Sequence, residues 1–324
     1  GIAMRIYLAG HQGMVGSAIL RRLCAENQHE VITATRAEID LTQQAPVRDF
    51  MRRKRPELVI IAAAKVGGIF ANDSQPADFI QDNLMIASNL IQQAHQADVQ
   101  HLIQLGSSCI YPRNASQPIS EGALLSGSLE PTNEPYAISK IAAIKLCESY
   151  NRQHGRDYRS LMPTNLYGPG DNFHHTHAHV LPSLLRRFAD AVHRRERAVT
   201  IWGTGTPRRE FLHVDDLADA VLFTTQLDAA RYATATQPMR SHVNVGTGKD
   251  IGILELAYQI GDLTGFQGEI LTDPSKPDGT PRKVLDTTLM QSLGWLPKID
   301  LADGLAQTFA WYQAMRKAGP ILRA

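Results

Sequence analysis

An α/β chain is what this sequence predicts: a doubly wound parallel sheet followed by a smaller C-terminal α/β lobe. Strand-like apolar runs alternate with helix-patterned stretches through the first half, the pattern of parallel strands with helices on both faces. The first run feeds a turn carrying glycines at positions 10, 13 and 16. Further on, Tyr136 and Lys140 stand four residues apart in a helical stretch.

Taken in order, Arg5–Ala9 reads as a buried strand that enters Gly10-His-Gln-Gly13-Met-Val-Gly16, and a helix follows on the apolar stripe Val15, Ile19, Leu20 and Leu23. In that strand–turn–helix setting Gly10, Gly13 and Gly16 permit the tight turn, the close approach of a pyrophosphate and the packing of helix on strand. The free amides and positive dipole end of the helix then face the phosphate. The spacing is GxxGxxG rather than GxGxxG. A second strand, Glu30–Ala34, ends at Thr35-Arg36 with no acidic residue at its tip. An acidic residue there would suit the ribose hydroxyls of NAD, whereas an arginine suits a 2′-phosphate, so NADP(H) is the expected dinucleotide. Asp40 and Leu41 follow closely enough to cover the adenine. Further strands are expected at 58–62, 101–105 and 158–162, and helices at 76–97 and 135–154, with Pro135 suited to the first helical position. From about Asn172 the alternation loosens. Residues 1–171 therefore read as a Rossmann-type dinucleotide-binding domain and 172–324 as a substrate-binding lobe, with His242–Gly246 returning as a strand to the main sheet.

The parts of a hydride-transfer site lie in the middle of the chain. Helical spacing puts the phenol of Tyr136 and the ammonium of Lys140 on one face. A nearby cation favours the phenolate, which is expected to pull the tyrosine below its ordinary pKa of about 10 and make it a general acid near neutral pH. Ser107, at the end of the fourth strand, can bond the same reacting oxygen. Cys109 offers a thiol that a cation could bring into range, against the alternative of a small buried filler. Cys24 and Cys147, inside amphipathic helices, are expected to be such fillers. His174, His175, His177 and His179 form an alternating run, yet no Cys, Asp or Glu lies inside it after Asp171, so no metal site is expected.

Together these features resemble the extended short-chain dehydrogenase/reductase family. Longer stretches (Ala62–Gly68, Ser107–Pro112, Pro131–Ala137, Met162–Pro169, Arg209–Asp216 and Lys276–Lys283) resemble its GDP-L-fucose synthase members, and the likeness covers nearly the whole chain. It implies a bifunctional enzyme that epimerises GDP-4-keto-6-deoxy-D-mannose at C3 and C5 and reduces the 4-ketone with NADPH to give GDP-L-fucose. A 4-keto sugar has acidic protons on both carbons beside the ketone, so one oxyanion site made by Ser107 and Tyr136 could serve both reactions. The resemblance makes Cys109 the base and His179, the histidine before Val-Leu-Pro, the acid; a histidine titrates near working pH. Around the cofactor it adds Met14, Val15, Leu105 and Gly106, then Pro163, Asn165 and Leu166, with Lys140 and His179. For the substrate it implies Arg187 (rather than Arg186), Arg209 and Lys283 at the diphosphate, where planar guanidinium groups bind oxygens in pairs. Trp202 would meet flat substrate surface, Asp278 and Asn165 its polar groups, and Tyr167 stays structural. A homodimer across a two-fold axis is a further implication. One departure stands out: some members carry an arginine where this chain has Gln12, which leaves Arg36 as the main support for NADP.

Composition agrees with an enzyme of small molecules. With 33 basic and 32 acidic residues the net charge is +1, and charge runs are short, so no nucleic-acid or membrane footprint is expected. No apolar run is long enough to span a bilayer, no secretory signal precedes Met4, and three cysteines without metal or disulfide spacing fit a reducing cytoplasm. Alternatives on the same residues are a GDP-colitose synthase acting on a 3-deoxy substrate, which no single residue separates, and an NAD-retaining nucleotide-sugar 4-epimerase, against which Arg36 and Cys109 stand. A 4,6-dehydratase would show an Asp-Glu pair after the active Ser or Thr, where this chain has Ser108-Cys109. A non-catalytic NADP sensor is permitted by fold alone, but such proteins commonly lose the tyrosine or the lysine.

Overall fold

The central sheet of the computed structural model, which describes residues 2–63, 73–174 and 178–319, is parallel throughout. Its strands are β1 (Arg5–Ala9), β2 (Glu30–Ile32), β3 (Leu58–Ile61), β4 (His101–Leu105), β5 (Asp157–Pro163) and, much later in the chain, β10 (His242–Val245). They lie in the order β10-β5-β4-β3-β1-β2. Because helices cover both faces, strands β1, β3, β4, β5 and β10 are buried along nearly their whole length and read as continuous apolar runs rather than alternating ones, whereas the edge strand β2 is only partly buried. On one face pack α1 (Met14–Glu26) and α6 (Val214–Gln226); on the other pack α2 (Gln44–Lys54), α3 (Pro76–Gln96) and α4 (Glu134–His154). The strand order reverses between β1 and β3, and a crevice opens at the carboxyl ends of strands at such a switch point.

The remaining strands are short: β6 (Asn165–Tyr167), β7 (Ala198–Trp202), β8 (Arg208–Arg209), β9 (Phe211–His213), β11 (Ile251–Gly252), β12 (Glu269–Asp273) and β13 (Arg282–Lys283). They form three small sheets, β6-β9, β12-β7 and β11-β8-β13. Helices α5 (Val180–Arg194), α8 (Ile253–Thr264) and α10 (Leu301–Lys317) enclose a separate apolar core of Leu185, Phe188, Ile201, Leu256, Ile260 and Tyr312. The short helices α7 (Ala229–Ala235) and α9 (Thr288–Leu293) pack on each other beside β10. No helix among the described residues is long and apolar enough to cross a membrane.

Two local expectations are corrected. The second strand stops at Ile32, two residues before Ala34, because Thr35 and Glu38 close a turn: the Thr35 amide donates to Glu38 Oε1 at 3.1 Å and the Glu38 amide donates to Thr35 Oγ1 at 3.3 Å. Cys24 is exposed rather than buried, since it follows Leu23 by one step and so points about 100° away from the stripe that α1 buries. Cys147 is buried.

Candidate active site

The glycine turn is built by crowding. Gly10 has φ +84°, and a Cβ on it would lie 2.6 Å from the backbone of Ala63, so the turn presses directly on the end of β3. A Cβ on Gly16 would come within 1.8 Å of the Gly10 carbonyl oxygen, which excludes any side chain there. Gly13 differs: a Cβ on it would meet only that carbonyl, at 3.8 Å, so the space in front of it is open. Gly13 is also the N-cap of α1 and provides no side-chain cap, which leaves the first-turn amides, including those of Met14 and Val15, available to an anion. An open cradle at a helix N-terminus fits the pyrophosphate of a dinucleotide. Arg36 and Asp40 are exposed beyond the end of β2. The Asp40 carboxylate accepts from the Thr42 amide at 3.0 Å and its hydroxyl at 2.6 Å, so it shapes its own loop, and these bonds hold it below the usual carboxylate range. The Leu41 carbonyl accepts from Asn89 at 2.9 Å.

The helix α4 that carries Tyr136 and Lys140 begins under Asn133, with acidic Glu134 and Pro135 in its first turn, both favourable at a helix start. This brings Tyr136 against the end of β4, with Phe79 edge-on at 6.3 Å and the Lys140 ammonium 5.6 Å from its ring centre. Lys140 is buried and donates to the Leu105 carbonyl at 3.4 Å. Ser107 caps the short 3₁₀ turn Ser108–Ile110, its Oγ accepting from the Cys109 amide at 3.3 Å, so both residues leave β4 in one tight turn. Gly106, whose amide donates to the Leu161 carbonyl at 2.9 Å, lies so close to Met162 that a Cβ would be 2.4 Å from its sulfur. Pro163 ends β5, and Asn165 and Leu166 begin β6 immediately beyond.

Electrostatics correct one expectation. Burial, with a smaller contribution from Cys109, pushes the Tyr136 phenol well above its ordinary value instead of below it. The cation cannot reverse this because Lys140 is itself stripped of water, its pKa lowered to about 8, and it is directed at a carbonyl. Tyr136 therefore holds its proton at neutral pH, the state a proton donor to a ketone oxygen requires. Burial raises the Cys109 thiol as well, opposed by the Ser107 hydrogen bond and by the charges of Lys283 and Lys140. His179 is the N-cap of α5 and is exposed, although loss of water around it and then the charge of Lys283 lower its pKa from the ordinary histidine value. Burial also depresses Lys283, with Cys109, Arg209 and Glu130 as its charged neighbours.

The residues expected at the substrate are brought together by strand pairing. β13 runs parallel to β8 with Lys283 opposite Arg209, so two cations far apart in the chain meet. Arg209 donates to the carbonyls of Arg208 at 2.7 Å and Thr280 at 2.6 Å. Arg186 is engaged with the Phe173 carbonyl at 2.7 Å and with Asp190 at 3.8 Å, whereas Arg187 is exposed and donates to the Thr200 carbonyl. Trp202 is 70% exposed, with the Lys276 ammonium 5.1 Å from its ring centre. Asp278 accepts from the Thr204 amide at 2.9 Å and hydroxyl at 2.7 Å, beside Trp202 across Gly203. Tyr167 is buried in the lobe core.

The stretch Ala62–Gly68 from Ala64 onward, together with His175 and His177, lies outside the described residues. His174 is bonded through its amide to Asn172 Oδ1 at 2.9 Å, and no group of metal-ligating side chains occurs among the described residues. Several buried polar groups carried no signal in the sequence. Asp171 is pushed up to about 7 by burial and its Oδ2 has no partner among the described residues; Glu210 and Thr164 are buried near the strand ends. Only three-dimensional burial distinguishes them from ordinary loop residues.

Comparison with known proteins agrees with this geometry. Residues 6–246 match the family described as NAD dependent epimerase/dehydratase. The chain is 56% identical to GDP-L-fucose synthase of Escherichia coli (strain K12), over 95% of this chain and 96% of that one. It is 36% identical to GDP-L-colitose synthase of Yersinia pseudotuberculosis, over 95% and 98%. Among solved structures, the GDP-mannoheptose C4 reductase from Campylobacter jejuni with NADP bound superimposes with a TM-score of 0.86 at 36% identity, covering 95% of this chain and 98% of that one. By its glycine turn, its Ser-Tyr-Lys set and these similarities, the chain belongs to the NAD dependent epimerase/dehydratase family and stands within it beside the GDP-L-fucose synthases.

Proposed function

We propose that this protein converts GDP-4-keto-6-deoxy-D-mannose to GDP-L-fucose by 3,5-epimerisation followed by NADPH-dependent reduction of the 4-ketone. The observation that carries the reading is the placement of Cys109 in the same turn as Ser107, within the field of Lys283 and Lys140 and beside Tyr136. A simple reductase needs no thiol at that point.

Bound NADPH supplies the hydride for the ketone carbon. The chain's own residues do the rest. Ser107 and the protonated Tyr136 hold the ketone oxygen, and they stabilise the enolate when Cys109, deprotonated against its burial with the help of the Ser107 hydrogen bond and the Lys283 and Lys140 charges, takes a proton from the carbon beside it. His179, on the lobe side, returns a proton from the opposite face; its depressed pKa makes the imidazolium, once formed, a stronger acid. When the ketone is reduced, Tyr136 gives its proton to the forming alkoxide. Lys140 supplies positive charge behind it, and Arg209, Lys283 and Arg187 hold the diphosphate while Trp202, Asp278 and Asn165 contact the rest of the nucleotide sugar. Arg36 takes the 2′-phosphate, with Gly10, Gly13 and Gly16 at the pyrophosphate. The three cysteines stand as free thiols, which supports a cytoplasmic site of work. We read the molecule as a homodimer paired across a two-fold axis through helices that flank the sheet, as the family resemblance implies.

The test is NADPH oxidation with GDP-4-keto-6-deoxy-D-mannose and with its 3-deoxy analogue, with the product sugar identified. GDP-L-fucose as product supports the reading. Preference for the 3-deoxy compound would make this a colitose enzyme, and no oxidation with either would refute both.

A further inference from the structure

Glu210 has no exposed surface and lies between Arg209 and the start of β9. Its Oε2 accepts from the amides of Thr247 and Gly248, both at 2.7 Å, and from the Thr247 hydroxyl at 3.3 Å. Its Oε1 accepts from the Leu285 amide at 2.9 Å, and the Thr164 hydroxyl is a further donor. Gly246 makes room for this: a Cβ there would lie 2.4 Å from Oε2. Burial raises the carboxyl above its ordinary range and these donors oppose that rise. Donors on both oxygens require a carboxylate, because a side-chain amide would turn its NH₂ towards another N–H.

The donors come from three chain segments. Thr164 joins β5 to β6, Thr247 and Gly248 follow β10, and Leu285 follows β13. Leu285 is two residues from Lys283, which is paired in register with Arg209, the residue before Glu210. One buried carboxylate thus ties both cations of the substrate side to the end of the main sheet, where Pro163 and Asn165 flank the cofactor site.

We propose that Glu210 is a positioning residue: it fixes the Arg209–Lys283 pair relative to the cofactor end of the sheet and so sets the grip on the substrate diphosphate. This rests on the placement of that diphosphate at Arg209 and Lys283. GDP and NADPH are titrated separately, by calorimetry, into the full-length protein and into Glu210→Gln, Glu210→Asp and Arg209→Ala. Glu210→Gln is expected to weaken GDP by about tenfold or more while NADPH changes by less than about twofold, with Glu210→Asp intermediate because it keeps the charge. Parallel loss of both ligands, or lowered thermal stability with GDP affinity unchanged, would overturn the proposal. If Arg209→Ala binds GDP normally, the diphosphate placement itself fails; if it weakens GDP and Glu210→Gln does not, only the role of Glu210 fails. Should the Glu210 variants not fold, amide exchange in the unaltered protein decides. GDP is expected to slow exchange at Thr247, Gly248 and Leu285 together, and unchanged exchange there refutes the proposal.

Discussion

Replacing Lys140 by methionine should abolish reduction and yet stabilise the fold. Lys140 is 6% exposed, has one long hydrogen bond to the Leu105 carbonyl at 3.4 Å, and its pKa falls from 10.5 to about 8 because burial disfavours the charged form. At pH 7 the lysine is protonated both folded and unfolded, so the folded state carries the whole cost of the buried charge, about 3 kcal/mol. Methionine fills a similar volume without the charge. Since a protein of this size unfolds with an entropy near 2 cal/mol/K per residue, the melting temperature should rise by about 5 °C. The sign of the pH dependence is a sharper check. Between about pH 8 and 10.5 the unfolded chain binds the proton more tightly than the folded one, so the wild type gains stability as pH rises through that window. The gap between variant and wild type should therefore be full at pH 7 and narrow towards pH 10. Scanning calorimetry at several pH values, with NADPH oxidation measured alongside, reads both effects. A variant less stable than wild type at pH 7, or a gap indifferent to pH, would refute the view that catalysis here is supported by a destabilising buried charge.

Other perturbations separate the remaining roles. Tyr136→Phe should lower reduction by about 10²–10⁴ while leaving measurable solvent deuterium exchange beside the ketone, and Cys109→Ala should slow exchange far more than hydride transfer to an already epimerised ketone; equal loss of both activities in both variants would defeat this division. Gly16→Ala should abolish NADPH binding, read by fluorescence titration, because its Cβ would fall 1.8 Å from the Gly10 oxygen and displace the turn. His242 is buried, and burial followed by the charges of Lys145 and Arg240 lowers its pKa to about 4. Its folded form therefore resists protonation, and stability should fall with pH from about 6.5 towards 4; His242→Phe should flatten that limb of a denaturation-versus-pH curve.

The sequence by itself determined the framework and the chemistry carried on single segments. Apolar runs broken by helical stretches specify a parallel sheet because each strand is buried on both faces, and the Gly10–Gly16 turn and the Tyr136–Lys140 spacing are local patterns whose geometry follows from a few neighbouring residues. Tertiary structure alone decided how those groups are tuned. The expected low pKa of Tyr136 assumed a cation in water-like surroundings, but burial dominates and Lys140 is turned to a carbonyl. The meeting of Arg209 with Lys283, and of Thr164, Thr247 and Leu285 on Glu210, depends on pairing between segments far apart in the chain. Spacing along a helix or turn is fixed by covalent geometry, whereas desolvation and long-range pairing exist only once the whole core has closed.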